Sequence, residues 1–375
     1  MTMNYIHNPF VLFGYDGPEY FCDRQIETEQ LTSSLRNGRN ITLTAPRRMG
    51  KTTLIKHVFN RIGSKGSGVY CFYMDIFATH SLADFVSLFG RTVIGRLDSS
   101  PEKALGMAAG TIRSARLVFS ADMMGQSQVS LEFLPQYAEE VLGEIFEYMR
   151  RSGKECYVAI DEFQQLVEYA ETGVEALLRS YVEQCPNVRF IFSGSKQDIM
   201  DDIFSNPRRP FYRSTEKMRL SVISEESYYS FARKHMLGAG KKLSIEVFHY
   251  VYNLFGGHTW YVQNILNHLY ECSSDCITND DVLQCVNRIV ESESEEYKKH
   301  YASLTQNQAY LLRAIAKEGC VGAINSSAFI QRYSLKGSSS VNKALAFLLD
   351  NEYVCRSDKG YIVYDRFMNI WLSVQ

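Results

Sequence analysis

The stretch Ile41-Thr-Leu-Thr-Ala-Pro-Arg-Arg-Met-Gly-Lys-Thr-Thr-Leu-Ile55 constrains this chain more than any other. A short β-branched strand, Asn40–Thr44, runs into a compact turn, and Gly50-Lys51-Thr52 then opens an apolar helix, Thr53–Ile62. The pattern is that of a phosphate loop, Gly-x4-Gly-Lys-Ser/Thr, with Ala45 standing where the first glycine usually does. The second glycine carries more of the chemistry. Gly50 lets backbone N–H groups close on phosphate oxygens, Lys51 neutralises charge at the β and γ positions, and the Thr52 hydroxyl suits Mg2+. Taken alone, the same residues also read as a basic loop between strand and helix.

A phosphate loop needs a carboxylate beside the Mg2+ shell and a group to position water. Tyr157-Val-Ala-Ile-Asp161-Glu162 supplies both. Four residues suited to a buried strand deliver Asp161 to the strand's carboxyl end, where ligands bind in open parallel sheets. Asp161 is then the magnesium-side acid, and Glu162 the general base or water-positioning group. The competing reading is a helix N-terminus at which two acids complement the dipole. The upstream loop decides between them, since two halves of one site seldom arise together by chance. The strand Phe190-Ile-Phe-Ser-Gly194-Ser195 ends in small polar residues, and Ser195 is placed to sense the γ-phosphate or the attacking water; the alternative is a strand end that caps the helix Lys196–Phe204. Arg208, Arg209 and Arg213 lie in a turn-like segment, where an arginine finger acts in cis or from a neighbour; Arg208 and Arg209 read equally as solvated charges.

At 375 residues the chain predicts two or three domains with ample core. A net charge of −2 gives no global reason to expect nucleic acid or an anionic membrane. No secretory pattern is visible over Met1–Pro9, no apolar run approaches a membrane span, and nine scattered cysteines fit reduced thiols, so a cytoplasmic location is expected. Cys272, Cys276 and Cys285 form the closest cysteine group, but a metal site there lacks a fourth ligand.

Along the chain, a lead-in segment is followed by a helix over Asp23–Asn37 that stops at Gly38. Strand-like and helical patterns then alternate, as in an α/β domain with a parallel sheet. Val69–Ile76 is a continuous apolar run, followed by a helix near Ser81–Leu97. Residues 98–130 read as irregular, with Arg116–Phe119 and Gln128–Glu132 as a possible inserted hairpin. A helix near Pro135–Ser152, a strand Glu155–Ile160, a helix near Gly173–Gln184 and a strand Val188–Ser193 complete this part. After about Met218 the character changes. Most of Ser224–His300 reads as helical, broken at Gly256-Gly257, and Thr278-Asn-Asp-Asp281 resembles a capping box. From Thr305 the order is helix, helix, helix and two short strands, Tyr353–Arg356 and Tyr361–Tyr364, around Ser357-Asp-Lys-Gly360, which suggests a winged helix.

With these residues in hand the chain resembles the archaeal-type ATPase family, in the STAND/AAA-like branch of P-loop ATPases. The matching points are Tyr20-Phe-Cys-Asp-Arg24, Ala45–Thr53, Ile160-Asp-Glu-Phe163, Ser193-Gly-Ser195, Phe211-Tyr-Arg213, Gly256-Gly-His-Thr-Trp-Tyr261 and Tyr361–Trp371. Their order along nearly the whole chain is more specific than any one of them. The resemblance implies a P-loop core with sheet order 5-1-4-3-2, an all-α lid and a C-terminal winged helix, at about 1–218, 219–300 and 301–375. It also implies that Phe21–Arg24 borders the adenine and that Gly257 and His258 close over the nucleotide. The implied nucleotide contacts are Phe21, Arg24, Arg48, Met49, Gly50, Lys51, Thr52, Thr53 and His258. The catalytic set is Lys51, Glu162, Ser195 and Arg213, and Thr52 with Asp161 holds Mg2+. Thr259 stands where the lid motif often has proline. Arg47 and Arg48 meet phosphate only if the loop folds around nucleotide; otherwise they are solvent-exposed charges.

The expected function is that of an ATPase that uses ATP and Mg2+ to switch the arrangement of core, lid and winged helix. Two alternatives stay open: a DNA-binding ATPase resembling origin-recognition proteins, and a regulatory nucleotide binder with little turnover. The candidate recognition helix, Ser338–Leu349, has a polar first turn but one lysine, a thin footprint for duplex DNA. A protein partner through the lid or winged helix is the preferred expectation, and no membrane partner is expected.

Overall fold

The structure is a computed structural model that describes residues 8–63, 68–97, 101–121, 127–272, 275–357 and 359–375. Asp358, in the expected wing turn, lies outside them. The chain forms two compact units, Val11–Tyr228 and a second that combines the residues through Phe10 with Tyr229–Gln375.

The strands of the first unit are β1 (Ile41–Thr44), β2 (Tyr70–Asp75), β3 (Arg116–Ala121), β4 (Ser127–Glu132), β5 (Cys156–Asp161), β6 (Val188–Gly194) and β7 (Glu216–Arg219). Five of them make a sheet in the order β2-β5-β6-β1-β7, and every pairing is parallel. β3 and β4 pair antiparallel as a separate hairpin. With the hairpin set aside, the sheet strands counted along the chain therefore run 5-1-4-3-2, as the resemblance implied.

The central strands are apolar throughout because helices cover both faces. Every residue of β1 and β5 is buried. Alternate residues of β5 feed two separate cores: Val158 and Ile160 join Phe72, Phe190 and Phe192, while Tyr157 and Ala159 join Leu43, Leu54 and Ile191. On the first of these faces Phe163, Phe192, Phe204 and Phe211 form an aromatic cluster, with Phe163 lying 4.5, 5.6 and 5.5 Å from the other three rings. Such ring pairs add about 0.5–1.5 kcal/mol each beyond the area they bury.

In the first unit, two elements depart from the sequence reading. Residues 98–130, expected to be irregular, include a helix over Pro101–Thr111. Gly106 and Gly110 lower its helix propensity and blur its period, although Ala108 and Ile112 are buried. The edge strand β7 was not read as a strand at all, because Glu216-Lys-Met-Arg219 is polar and mostly exposed.

In the second unit, the helices Ile245–Leu254 and Thr259–Glu271 are separated by Gly256 and Gly257, both at positive φ. Thr278 caps the long helix Asn279–Ser303 in a reciprocal bond with Asp281. Three helices, Gln306–Glu318, Ser327–Arg332 and Gly337–Asp350, precede the antiparallel strands β8 (Val354–Ser357) and β9 (Gly360–Val363), with Val321 bridged to Tyr361. A closing helix, Arg366–Ser373, was not foreseen. Its Phe367 lies 5.3 Å from the Phe255 ring and 5.2 Å from Tyr261, and its Trp371 packs 5.9 Å from Tyr297. That helix joins the expected lid and winged helix into one unit. Residues 8–10 belong here too: Asn8 Nδ2 donates to the Asn267 carbonyl at 2.9 Å, Asn267 Nδ2 donates to the Phe10 carbonyl at 2.8 Å, and Phe10 is buried edge-on against Phe231 and Tyr270. Among the described residues, no helix is long and apolar enough to cross a membrane. Cys285 is buried, Cys272 half-buried and Cys276 exposed, and no metal-holding group of His, Cys, Asp and Glu occurs among the described residues.

Candidate functional site

The carboxyl ends of β1, β2, β5 and β6 gather the polar side chains that the sequence singled out. β1 delivers Ala45, fully buried, whose N–H donates to the Gly194 carbonyl at 3.4 Å. The loop then turns through Arg48 at φ 63° and Gly50 at φ 92°. A Cβ on Gly50 would meet nothing within 4 Å, so glycine is needed there for its backbone angle and not for space. The helix Lys51–Gly63 starts immediately afterwards.

Lys51 is 5% exposed and folds back over the loop, with Nζ donating to the carbonyls of Ala45 (3.0 Å) and Pro46 (3.4 Å). Burial lowers its pKa, an effect opposed by the charges of Glu162 and Asp161 and reinforced by Arg47. The loop is braced from the N-terminal side by Arg24. This residue adopts φ 61°, is 5% exposed, and donates to Glu27 Oε1 at 2.8 Å and to the Met49 carbonyl at 3.4 Å. Three residues earlier, Phe21 stacks on His57 of the helix behind the loop, centroids 4.0 Å apart and planes 11° from parallel. The Tyr15 hydroxyl bonds His57 Nδ1 at 3.0 Å.

Asp161 ends β5 and is 2% exposed. Its Oδ2 accepts from Thr52 Oγ1 at 2.6 Å and from the Tyr73 hydroxyl at 2.8 Å, while its Oδ1 accepts the Glu162 N–H at 3.1 Å. Burial, followed by the Asp161 charge and hydrogen bond, raises the Tyr73 pKa, so the phenol stays a donor. Hydroxyl and carboxylate oxygens are the donor set that Mg2+ prefers, and both belong to elements fixed by the sheet. Asp75 ends β2 in register with Asp161. Its own burial, together with the Asp161 and Glu162 charges, raises its pKa, while the Phe77 N–H and Arg47 oppose the rise. Arg47 also lies over the exposed Phe77 ring at 5.2 Å.

Glu162 turns the chain out of β5 at φ 55° and leads into a short 3-10 helix, Phe163–Glu168. Its Oε2 accepts from Ser195 Oγ at 2.6 Å and from Gln164 Nε2 at 2.5 Å. Ser195 thus faces the acid, and the helix Gln197–Ser205 begins without a side-chain cap.

Arg24, Met49, Gly50, Lys51, Thr52, Thr53, Asp161, Glu162 and Ser195 therefore fall on one end of the sheet, with Phe21 packed against the helix that follows the loop. Arg48 is exposed in the loop itself. Arg213 falls elsewhere. β7 runs parallel to β1 with Glu216 opposite Ile41, so the residues just before it lie at the amino end of the strands, away from the phosphate loop. Arg213 is exposed there, over the Tyr212 ring, and Arg209 is paired with Glu175 and Asp202. His258 sits in the second unit, at the start of the helix Thr259–Glu271 and edge-on to Tyr261 at 5.0 Å. The sequence reading missed Tyr73, Asp75 and Gln164.

A family described as an ATPase domain predominantly from Archaea matches residues 21–265, and one described as a probable winged helix domain matches residues 295–374. Among solved structures, the fold is similar to a Walker-type ATPase of Pyrococcus abyssi, with TM-score 0.67, 17% identity, and 97% of this chain covered against 99% of that one. It is also similar to the ORC2 protein of Aeropyrum pernix in ADPNP–ADP complexes, with TM-score 0.61, 17% identity, and coverage of 98% and 96%. The ORC1 protein of the same organism, in complex with DNA, gives TM-score 0.53, 13% identity, and coverage of 98% and 96%. At these identities the likeness is one of fold. No curated protein matches the chain.

Proposed function

The chain belongs to the family of ATPase domains found predominantly in Archaea, and we propose that it binds ATP at the phosphate loop and hydrolyses it with Mg2+. The convergence of Thr52 and Asp161 at 2.6 Å, beside a Glu162 already held by Ser195, carries this reading. Lys51 leaves the Ala45 and Pro46 carbonyls to meet phosphate oxygens, and Gly50 keeps the loop's N–H groups turned inward. Thr52 and Asp161 would hold Mg2+, which would supply positive charge to offset that of the phosphates. Glu162 accepts the proton of the attacking water, and Ser195 orients Glu162 and registers the γ-phosphate. Phe21, Arg24, Arg48, Met49 and Thr53 complete the nucleotide contacts of the first unit. A second carboxylate directly after Asp161 has no use in a pure binder, which favours turnover over a silent regulatory site.

At the amino end of the strands Arg213 lies away from its own phosphate loop, so a role as a finger would need a neighbouring copy of the chain. Loss of the γ-phosphate releases contacts of the loop, Asp161 and Ser195, which biases a two-state arrangement of core, lid (219–300) and winged helix (301–375). The partner of the winged helix is a protein. The exposed side of the helix Gly337–Asp350 carries one lysine, Lys343, beside Asn342 and a Phe347 that is 39% exposed, and it ends in Asp350. Hydrogen exchange of residues 219–300 with ATP, ADP and no nucleotide tests the switch: protection should differ between ATP and ADP, and equal protection in all three states overturns it. Salt-dependent retention of the protein on duplex DNA would reverse the choice of partner.

A further inference from the structure

Gln164 is 4% exposed on the 3-10 helix that follows Glu162. A polar side chain is not buried without compensation, and among the described residues the hydrogen bonds of this one run to Glu162 and Ser195. Its Nε2 donates to Glu162 Oε2 at 2.5 Å and to Ser195 Oγ at 3.3 Å, while Ser195 Oγ itself donates to the same Glu162 oxygen at 2.6 Å. The amide orientation follows from the chemistry, since an ionised carboxylate only accepts and must face the NH2 group. Among the described residues the Oε1 atom has no hydrogen-bond partner. The amide end alone accounts for the residue's placement.

The surroundings fix that placement. Phe163, the preceding residue, is buried in the cluster with Phe192, Phe204 and Phe211, so the backbone carrying Gln164 cannot swing away. On the other side, a Cβ at Gly194 would lie 2.5 Å from Gln164 Oε1 and 2.5 Å from Met200 Sδ. Gly194 therefore provides the space that the amide occupies, and this glycine has no positive φ that would otherwise explain it.

We infer that Gln164 is a positioning residue for hydrolysis: it locks the Glu162 carboxylate to Ser195 through Oε2 and so presents Oε1 to the attacking water. This rests on the reading of Glu162 as the water-directing base. Two donors on one oxygen restrict the carboxylate's rotation, and a base held in one orientation loses less freedom at the moment of proton transfer.

The test uses the full chain and Mg2+-ATP with Gln164→Met and Gln164→Leu, which keep bulk and remove the amide, together with Ser195→Ala and the Gln164→Met/Ser195→Ala double variant. Turnover number, KM, affinity for a fluorescent ATP analogue and melting temperature are measured for each. The expected result is a fall in kcat of about tenfold to a hundredfold, with KM and analogue affinity within about twofold of the parent. The double variant should be no slower than the slower single variant, because both changes break one network. Unchanged kcat in both Gln164 variants, effects that multiply in the double variant, or losses that track melting temperature and KM together overturn the inference. Glu162→Gln is assayed alongside. If it turns over like the parent, the base assignment itself fails; if it is inactive while both Gln164 variants turn over like the parent, only the positioning role fails.

Discussion

Thr52 Oγ1 donates to Asp161 Oδ2 at 2.6 Å, which ties the helix behind the phosphate loop to the carboxyl end of β5. The same oxygen accepts from Tyr73, so three strictly placed groups meet where a divalent cation is expected. Removing the Tyr73 hydroxyl takes away one of the donors that hold Asp161, without touching nucleotide. Tyr73→Phe should raise the Mg2+ concentration needed for half-maximal turnover by roughly tenfold, the usual cost of losing an outer partner of a ligand. Affinity for ATP measured in EDTA should not move. A Mg2+ requirement equal to the parent's would show that Tyr73 only fills space.

Arg24 is a buried cation whose hydrogen bonds run to Glu27 and to the Met49 carbonyl. Arg24→Ala removes a charge-assisted bond and leaves a partly buried carboxylate behind, which should cost about 1.5–3 kcal/mol of stability. Because the lost brace is on the phosphate loop, ATP affinity should also fall several-fold. Glu27→Ala separates the two effects: it should cost stability while leaving affinity near the parent's. Denaturant unfolding and analogue titration measure both, and an Arg24→Ala protein with parental affinity contradicts the brace.

His57 gives a pH dependence with a definite sign. Burial first, and Arg61 second, hold its pKa below the ordinary imidazole value. The unfolded chain then binds more protons than the folded one in the window just below about pH 6.5. The stability contributed by this group is complete above that pH and is lost as pH falls through the window. Between pH 7.5 and 5.5 the parent's melting temperature should drop further than that of His57→Phe, which keeps a ring beside Phe21 and cannot titrate. Equal slopes in the two proteins would exclude His57 as the source.

The fold and half of the site were legible for a physical reason. A strand buried on both faces is continuously apolar, so β1, β5 and β6 stood out, and the polar residues at or beyond their carboxyl ends were visible by contrast: Gly50-Lys51-Thr52, Asp161-Glu162 and Ser195. Tyr73 and Gln164 were not visible. Tyr73 lies inside the apolar run of β2 and reads as core; only the register that sets Asp75 opposite Asp161 brings its hydroxyl to the site. Gln164 reads as ordinary helix surface, and its burial depends on Gly194 from another strand. Arg213 was legible as an arginine of interest, but its place at the amino end of the sheet follows from the pairing of β7 with β1, and β7 is too polar and short to announce itself.

That place leads to a mixing experiment. Arg213→Ala keeps an intact phosphate loop, and Lys51→Ala keeps an intact Arg213. If the finger acts between copies, each variant alone should be slow, by about 10³-fold for loss of a finger. An equimolar mixture should recover turnover well above the mean of the two. Activity that is simply the mean, or an Arg213→Ala protein as fast as the parent, removes the residue from the chemistry.

The central claim is that Lys51 binds the phosphates and Glu162 directs the water. Purified Glu162→Gln and Lys51→Ala proteins, each given radiolabelled ATP with Mg2+ and assayed for bound nucleotide and released phosphate, test it most directly. Glu162→Gln should retain bound, uncleaved ATP, with turnover lowered at least about a hundredfold, and Lys51→Ala should retain none. Parental rates of phosphate release from both variants would contradict the account.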